Sequence, residues 1–373
     1  MSGFGIRAFK KVQDDEKKDK QQYVKHIVYG ENSFAVTTFI KLFEKYPGEV
    51  KLITKNPYFK DDLIKDWKCT LNPIRSESVA QRLMSINPSF EIFKTSGDVV
   101  FYKDTKFHKF GGRAKPHQLI DGEEFFTCAP YNFKNESVFT KEQFDSLDNV
   151  LKENQVNKIV KEIEITRPDD LVEKTNFKLL TGEFDSYNCE YLYFCESPKT
   201  FYSLVNDKNS IPDNLQEFIA PITNHQGICV NYNCSGKIYD GEGTVILPQS
   251  LTHEWGSFIL DFERYNESDN TQEFTALTFI NEEGLQEDDL AKKIKLMNRV
   301  IERVMPNFGE VNVEQSIKYN SEYRISGIND EKFDSIKNEA IKFLGQASPL
   351  NMDSSDDFQY SARANNAIMS MDL

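Results

Sequence analysis

Residues 25–55, KHIVYGENSFAVTTFIKLFEKYPGEVKLITK, decide how this chain folds. An apolar run at 24–29 reads as a short strand and stops at Gly30. From Ser33 onward the apolar residues recur at helical spacing, and a Pro-Gly pair then ends the pattern. A second apolar run follows at 50–54. Strand, tight turn, helix and strand in so compact a unit predict two parallel strands joined by a right-handed crossover.

The turn after the first strand lies where a phosphate-binding fingerprint would lie. That fingerprint reads G-x-G-x-x-G/A, and the helix after it points its N terminus at a pyrophosphate. Gly30 occupies the first glycine position of the fingerprint, and Ala35 occupies the third position, where alanine is accepted. Asn32 stands in place of the second glycine. Asn tolerates positive φ better than most residues. Glu31 adds a negative charge that would repel a phosphate unless it points away, and Ser33 begins the predicted helix.

The end of the second strand differs from the same pattern. An acidic residue there would hold a ribose hydroxyl, but Thr54 and Lys55 occupy this region. Two interpretations are therefore open for residues 25–55. The unit either retains some nucleotide binding or serves for packing alone.

Two later segments could also hold an anion. Gly111 and Gly112 leave backbone amides open, and the guanidinium of Arg113 can bind a phosphate in a bidentate manner. Near the C terminus, the small-residue turn at 345–349 follows a predicted strand and precedes a helix that includes 361–368. The alternatives are an ordinary loop at the first segment and a plain strand and helix at the second.

Together these segments resemble the FAD-dependent amine oxidase family, whose nucleotide-binding fold is also seen in the Rab GDP-dissociation inhibitors. The segment Phe194-Cys-Glu-Ser-Pro198 looks like the family's mid-chain turn, and the order of elements matches from about residue 24 to 369. The resemblance implies an α/β fold with an FAD/NAD(P)-binding Rossmann-like domain and a second, mixed-sheet α+β domain of the substrate-binding type. The FAD contacts that it implies are Gly30, Asn32, Ser33, Ala35, Thr54, Lys55, Gly111, Gly112, Arg113, Gly345, Gln346 and Ala347.

The expected domains are discontinuous along the chain. A mobile leader is expected at 1–23. Turn-separated strands from 217 to 281 predict an antiparallel sheet, and a helix with one apolar stripe is predicted at 286–304. Residues 177–180 are expected to pair with 190–195. The dinucleotide-binding-type domain is expected to comprise 24–115, 150–205 and 336–373, and the substrate-type domain 116–149 and 206–335.

Composition excludes some classes of partner. The net charge is −14, with 59 acidic and 45 basic residues, which disfavours binding to nucleic acids and anionic lipid surfaces. No apolar stretch is long enough to span a membrane and no signal peptide is evident, so a cytoplasmic location is expected. The 6 cysteines form no Cys-x-x-Cys pair, and we expect no metal site.

The resemblance implies an FAD-dependent oxidoreductase that removes hydride from a C–N or C–C bond of a small molecule. The alternative is a non-catalytic protein on the same fold that has lost or weakened FAD binding. Such a protein would bind a protein or lipid-like ligand in the cleft between the two domains. Catalytic residues, substrate and oligomeric state are left open, and Tyr232 and Trp255 are candidate pocket walls by analogy alone.

Overall fold

The computed structural model describes residues 20–57, 92–94, 100–109, 131–133, 141–167, 174–182, 185–252, 258–280, 287–326, 332, 335–336 and 339–344. The strands are β1 Lys20–Tyr23, β2 His26–Tyr29, β3 Val50–Thr54, β4 Ile92–Lys94, β5 Val100–Lys103, β6 Lys106–Lys109, β7 Tyr131–Phe133, β8 Gln155–Asn157, β9 Glu162–Thr166, β10 Asn176–Leu180, β11 Asp185–Cys189, β12 Tyr191–Phe194, β13 Thr223–Cys234, β14 Gly243–Leu247, β15 Phe258–Phe262, β16 Gln272–Ile280, β17 Val313–Ser326 and β18 Ile341–Phe343. The α-helices are α1 Ser33–Lys45, α2 Lys141–Asn154, α3 Pro198–Leu204, α4 Asp213–Ile219, α5 Gln249–Thr252 and α6 Glu287–Val304. Short 3₁₀ turns span Lys208–Ser210 and Pro306–Gly309.

A five-stranded parallel sheet forms the first layer. Its strand order is β18-β12-β2-β3-β8, and every neighbouring pair is parallel. From β2 the sheet continues through β3 to β8 on one side and through β12 to β18 on the other. The strand order therefore changes direction between β2 and β12, as in Rossmann-type sheets. This arrangement confirms the predicted α/β class and the parallel pairing of the first two predicted strands.

Helix α1 packs on the parallel sheet through one apolar face. Val36, Phe39, Ile40 and Leu42 are buried on this helix, which contacts β2 and β3. Burial of each large apolar side chain contributes about 1.5–3 kcal/mol to folding. Because the helix is held along its length, its N terminus stays at the carboxyl edge of the sheet.

A four-stranded sheet with the order β1-β11-β10-β9 corrects two expectations. The predicted pairing of 177–180 with 190–195 is wrong, because β10 pairs with β11 and β12 lies in the parallel sheet. Residues 20–23, placed in the mobile leader by the sequence, form β1 and pair in parallel with β11. The sequence did not reveal this because a short polar strand carries no alternating apolar pattern.

The third sheet has seven strands in the order β17-β13-β16-β15-β14-β5-β6. The pairs among β13, β16, β15 and β14 are antiparallel, as predicted, and β17, which was not predicted, pairs antiparallel with β13. Strand β5 pairs in parallel with β14, so β5 and β6 lie in the same sheet. Helix α6 confirms the amphipathic helix predicted from its apolar stripe, and its buried residues join this sheet's core.

Separate aromatic clusters fill the cores of the parallel and seven-stranded sheets. The first contains Phe194, Phe201 and Phe343 in edge-to-face contacts. In the second, Tyr232 stacks on Phe274 with ring centroids 4.6 Å apart, and its hydroxyl donates to Asn298 Oδ1 at 2.6 Å. Tyr232 is therefore a core residue rather than a pocket wall, and Trp255 lies outside the described residues.

Among the helices that the structure describes, none combines the length and apolarity needed to cross a bilayer.

Candidate functional site

The candidate site lies where β2 and β12 end side by side. Tyr29 is paired with Phe194, so the turns after these two strands meet at one edge of the sheet. Leu344 reaches the same edge, where its backbone N–H donates to the carbonyl of Phe194 at 3.0 Å. In open α/β sheets, ligands bind at the carboxyl edge where the strand order reverses. The topology therefore identifies this edge as the candidate binding site.

Gly30 allows the two turns to approach each other. A Cβ atom at this position would lie 3.0 Å from the Cβ atoms of both Ala35 and Cys195. Contacts between Cβ atoms are rarely this short, so any larger residue here would have to push the two turns apart, and the position favours glycine. The structure thus brings Gly30 and Ala35 together, as the fingerprint predicts, and Ala35 is fully buried.

The side chain of Asn32 is used within the protein. Its Oδ1 accepts the backbone N–H of Ala35 at 3.1 Å, which caps helix α1. Its Nδ2 donates to the carbonyl of Cys195 at 2.8 Å and so joins the turns after β2 and β12. Ser33 is the first residue of α1. The Asn32 side chain therefore occupies space that a phosphate would need. It also accepts the Ala35 N–H, which a phosphate would otherwise use as a donor.

Glu196 places a carboxylate at this turn, which the sequence analysis did not anticipate. Its Oε1 accepts the backbone N–H of Glu31 at 2.5 Å and lies 3.4 Å from Asn32 Nδ2. The same oxygen would be 3.2 Å from a Cβ at Gly30. The N terminus of a helix favours negative charge because its amides are unpaired and its dipole is positive there. The Glu196 carboxylate thus occupies a position suited to a bound anion.

Polar groups at the end of β3 also form hydrogen bonds within the chain. The backbone N–H of Lys55 donates to Glu31 Oε1 at 3.1 Å, so the Glu31 side chain turns toward this strand. Thr54 is buried, and its hydroxyl donates to the carbonyl of Asn56 at 2.5 Å. Neither residue provides the carboxylate that would hold a ribose hydroxyl.

Cys195 serves packing in this site. Its thiol is buried, its Sγ lies 3.6 Å from Thr38 Oγ1, and burial raises the pKa of the thiol above its usual range. A nucleophilic cysteine needs a lowered pKa and access to solvent. The side chain therefore behaves as a small apolar group.

Ser197 links the site to the seven-stranded sheet. Its Oγ accepts the backbone N–H of Lys199 at 3.1 Å and caps helix α3. The same hydroxyl donates to Asn224 Oδ1 at 2.5 Å, and Asn224 lies near the start of β13. The turn after β12 is consequently held from both sheets.

The other predicted contacts fall elsewhere. Gly111, Gly112, Arg113, Gly345, Gln346 and Ala347 lie outside the described residues. The structure does bring together Gly30, Asn32, Ala35, Thr54 and Lys55 at one edge of the sheet. These residues do not fit the pyrophosphate and ribose of FAD, because the chain's own groups use the donors of Glu31, Ala35 and Lys55.

Comparison with solved structures supports the fold over nearly the whole chain. A variant of putrescine oxidase from a cofactor-binding redesign aligns with 94% of this chain and 98% of its own, at TM-score 0.57 and 9% identity. Cyclohexylamine oxidase from Brevibacterium oxydans aligns with 93% of this chain and 98% of its own, at TM-score 0.55 and 7% identity. A fatty acid isomerase from P. acnes that produces CLA aligns with 94% of this chain and 99% of its own, at TM-score 0.52 and 11% identity.

No protein-family model and no curated protein sequence matches the chain. Similarity at such low identity is evidence for architecture alone. The chain has the fold of these oxidases and of the isomerase, which agrees with the amine-oxidase-like architecture implied by its sequence. Function has to be argued from the site itself.

Proposed function

We infer that this protein is a non-catalytic member of the amine oxidase fold, in which FAD binding at the first turn is weakened or lost. The observation that carries this proposal is the internal use of the turn's donors. The N–H groups of Glu31, Ala35 and Lys55 donate to side chains of the chain itself. A pyrophosphate would have to displace these contacts while facing the carboxylates of Glu31 and Glu196.

The ligand that we propose is a protein segment or a lipid-like molecule, bound in the cleft between the dinucleotide-type and substrate-type domains. The fatty acid isomerase that shares the fold acts on a lipid chain, which supports an apolar ligand. Ligands of this class need no phosphate-binding turn. Their binding would require the two-domain fold but not FAD.

The second candidate function is an FAD-dependent oxidoreductase of the amine oxidase type, which would remove hydride from a C–N or C–C bond of a small molecule. The fold shared with putrescine oxidase and cyclohexylamine oxidase over almost their full lengths favours it. Gly111–Arg113 and Gly345–Ala347 would be the remaining contacts for FAD. The described part of the site does not fit the cofactor, because side chains of the chain accept the backbone donors of the turn.

The colour and FAD affinity of the purified protein distinguish the two functions. We expect a colourless protein and no heat of binding on titration with FAD at high micromolar concentration. A flavin spectrum that survives desalting, or reconstitution with added FAD, would overturn the proposal and favour the oxidoreductase.

A second experiment tests whether the site is a weakened one. The double variant Asn32→Gly, Gln346→Asp introduces the second glycine of the fingerprint and, at the C-terminal turn, the Asp of the Gly-Asp-Ala turn in the family that the chain resembles. If the site retains the geometry of an FAD site, its affinity for FAD rises above that of the natural sequence in calorimetry. No gain would mean that the edge serves another ligand.

A further inference from the structure

We propose that Glu196 is an internal replacement for the pyrophosphate of a dinucleotide, which closes the carboxyl edge of the parallel sheet without a cofactor. This inference rests on the proposed function and names the group responsible for the loss of the cofactor. Asn32 and Glu31 contribute to the closure, but Glu196 is the residue whose negative charge lies against the turn.

The Glu196 carboxylate faces two donors at the turn after β2. Glu196 Oε1 is 2.5 Å from the N–H nitrogen of Glu31 and 3.4 Å from Asn32 Nδ2. A backbone amide of the turn and a side-chain amide at the start of α1 thus face one carboxylate oxygen. Donors of this kind hold phosphate oxygens in dinucleotide-binding turns. An acceptor from the protein is already in place at this point.

The backbone is held on both sides of Glu196. Before it, the Cys195 N–H donates to the Tyr29 carbonyl at 2.8 Å, and the Cys195 carbonyl accepts from Asn32 at 2.8 Å. After it, Ser197 caps helix α3 and donates to Asn224. The carboxylate is thus carried by a turn that is anchored at both neighbouring residues, and a dinucleotide would have to displace it from the N–H of Glu31.

Charge at the turn also disfavours another anion. Glu31 is directed to the N–H of Lys55 at 3.1 Å, so a second carboxylate borders the same turn. Both carboxylates add negative charge near the positive end of the α1 dipole, which reduces the attraction for another anion.

The test removes the carboxylate and supplies anions from solution. In the variant Glu196→Ala, pyrophosphate and ADP should bind at least roughly tenfold more tightly than in the natural sequence, as measured by calorimetry at constant ionic strength. Pyrophosphate should also raise the thermal midpoint of Glu196→Ala, while it leaves that of the natural sequence unchanged.

The matched control is Glu190→Ala. Glu190 directly precedes β12, and its carboxylate contacts Tyr23 and Lys174 at the opposite end of the strand. This variant should lose a carboxylate of the same kind without gaining affinity for ADP or pyrophosphate. Equal gains in both variants would show a general charge effect and overturn the proposal.

The variant Glu196→Gln keeps the test decisive if Glu196→Ala does not fold. It retains an oxygen for the Glu31 N–H but removes the negative charge, so we expect a smaller gain in ADP affinity. If neither variant gains affinity and the natural protein binds no FAD, the Glu196 inference fails while the proposed function stands. FAD binding by the natural protein would overturn both.

Discussion

The two ends of the parallel sheet differ in how their polar groups are hydrogen-bonded. At the carboxyl edge, Glu31, Asn32 and Glu196 hold one another and the neighbouring backbone through short hydrogen bonds. At the amino end of β2, His26 is buried, and its Nε2 has no hydrogen-bond partner among the described residues. The donors at the edge expected to bind a cofactor are thus paired within the chain, whereas the opposite end contains a buried nitrogen without such a partner.

This difference agrees with the proposed loss of cofactor binding at the carboxyl edge. Binding edges normally leave donors for a ligand, whereas buried structural regions pair theirs. Here the carboxyl edge has the properties of a structural region. At the amino end, the His26 ring stacks between Tyr46 and Tyr191, with centroid distances of 4.5 and 5.1 Å. The aromatic contacts of the ring offset part of the cost of burying an unpaired nitrogen there.

The largest expected effect tests the close approach at the carboxyl edge. Gly30→Ala should destabilise the protein by about 1–3 kcal/mol, because the new methyl group would meet the Cβ atoms of Ala35 and Cys195 at 3.0 Å. Denaturant unfolding measures the difference. Gly182→Ala is the control, since its nearest neighbouring atom would lie 3.9 Å away. Equal losses in both variants would contradict the packing argument.

The next effect concerns the cap of α1. Asn32→Ala removes the acceptor for the Ala35 N–H and the donor to Cys195, and we expect a loss of about 1–2 kcal/mol in the free energy of unfolding. Asn32→Ser keeps a capping oxygen but no amide donor, so it should fall between Ala and the natural residue. If Ser and Ala behave alike, the cap contributes nothing measurable.

The third prediction tests the amino end through pH. Burial, and secondarily the charge of Lys25, lowers the pKa of His26 below the ordinary value of 6.5. The unfolded chain therefore takes up the proton first, and the stability that neutral His26 contributes is lost as pH falls below 6.5. For one proton the slope is at most about 1.4 kcal/mol per pH unit.

His26→Phe should reduce this slope, because phenylalanine can stack between the tyrosines without titrating. Urea unfolding between neutral and mildly acidic pH provides the measurement. His108→Gln serves as the control, since His108 is exposed on β6. An unchanged slope in His26→Phe would show that His26 is not the group responsible.

The smallest effect is expected for Glu31→Gln. The amide oxygen can still accept the Lys55 N–H at this exposed site, so stability should change by less than about 0.5 kcal/mol. Thermal unfolding at low and high salt is the measurement. A loss of several degrees would mean that the charge of Glu31, rather than its hydrogen bond, stabilises the turn.

Much of the scaffold could be predicted because its signals are local. The apolar period changes at Ser33, and the structure begins α1 there. The spacing of Leu290, Ile294 and Met297 likewise predicted α6. Strand pairing was harder, because β10, β11 and β12 are adjacent short strands and nothing local determines which sheet each one joins.

The candidate site was only partly accessible from the sequence. Gly30, Asn32 and Ala35 belong to one motif and could be recognised together. Glu196 lies 165 residues from Glu31 along the chain, and only the pairing of β2 with β12 brings the two together. A glutamate between a strand and a Ser-Pro helix start has no distinctive pattern on its own.

The sequence by itself determined the elements of the first unit, because helical and strand periods and a glycine turn are properties of neighbouring residues. It also determined that the turn departs from a phosphate-binding pattern. The tertiary structure decided which group lies against the turn, since the N–H of Glu31 meets the Glu196 carboxylate at 2.5 Å only after two distant strands pair. Charge and hydrogen bonding act through space, so the group that faces the turn is set by the sheet's topology.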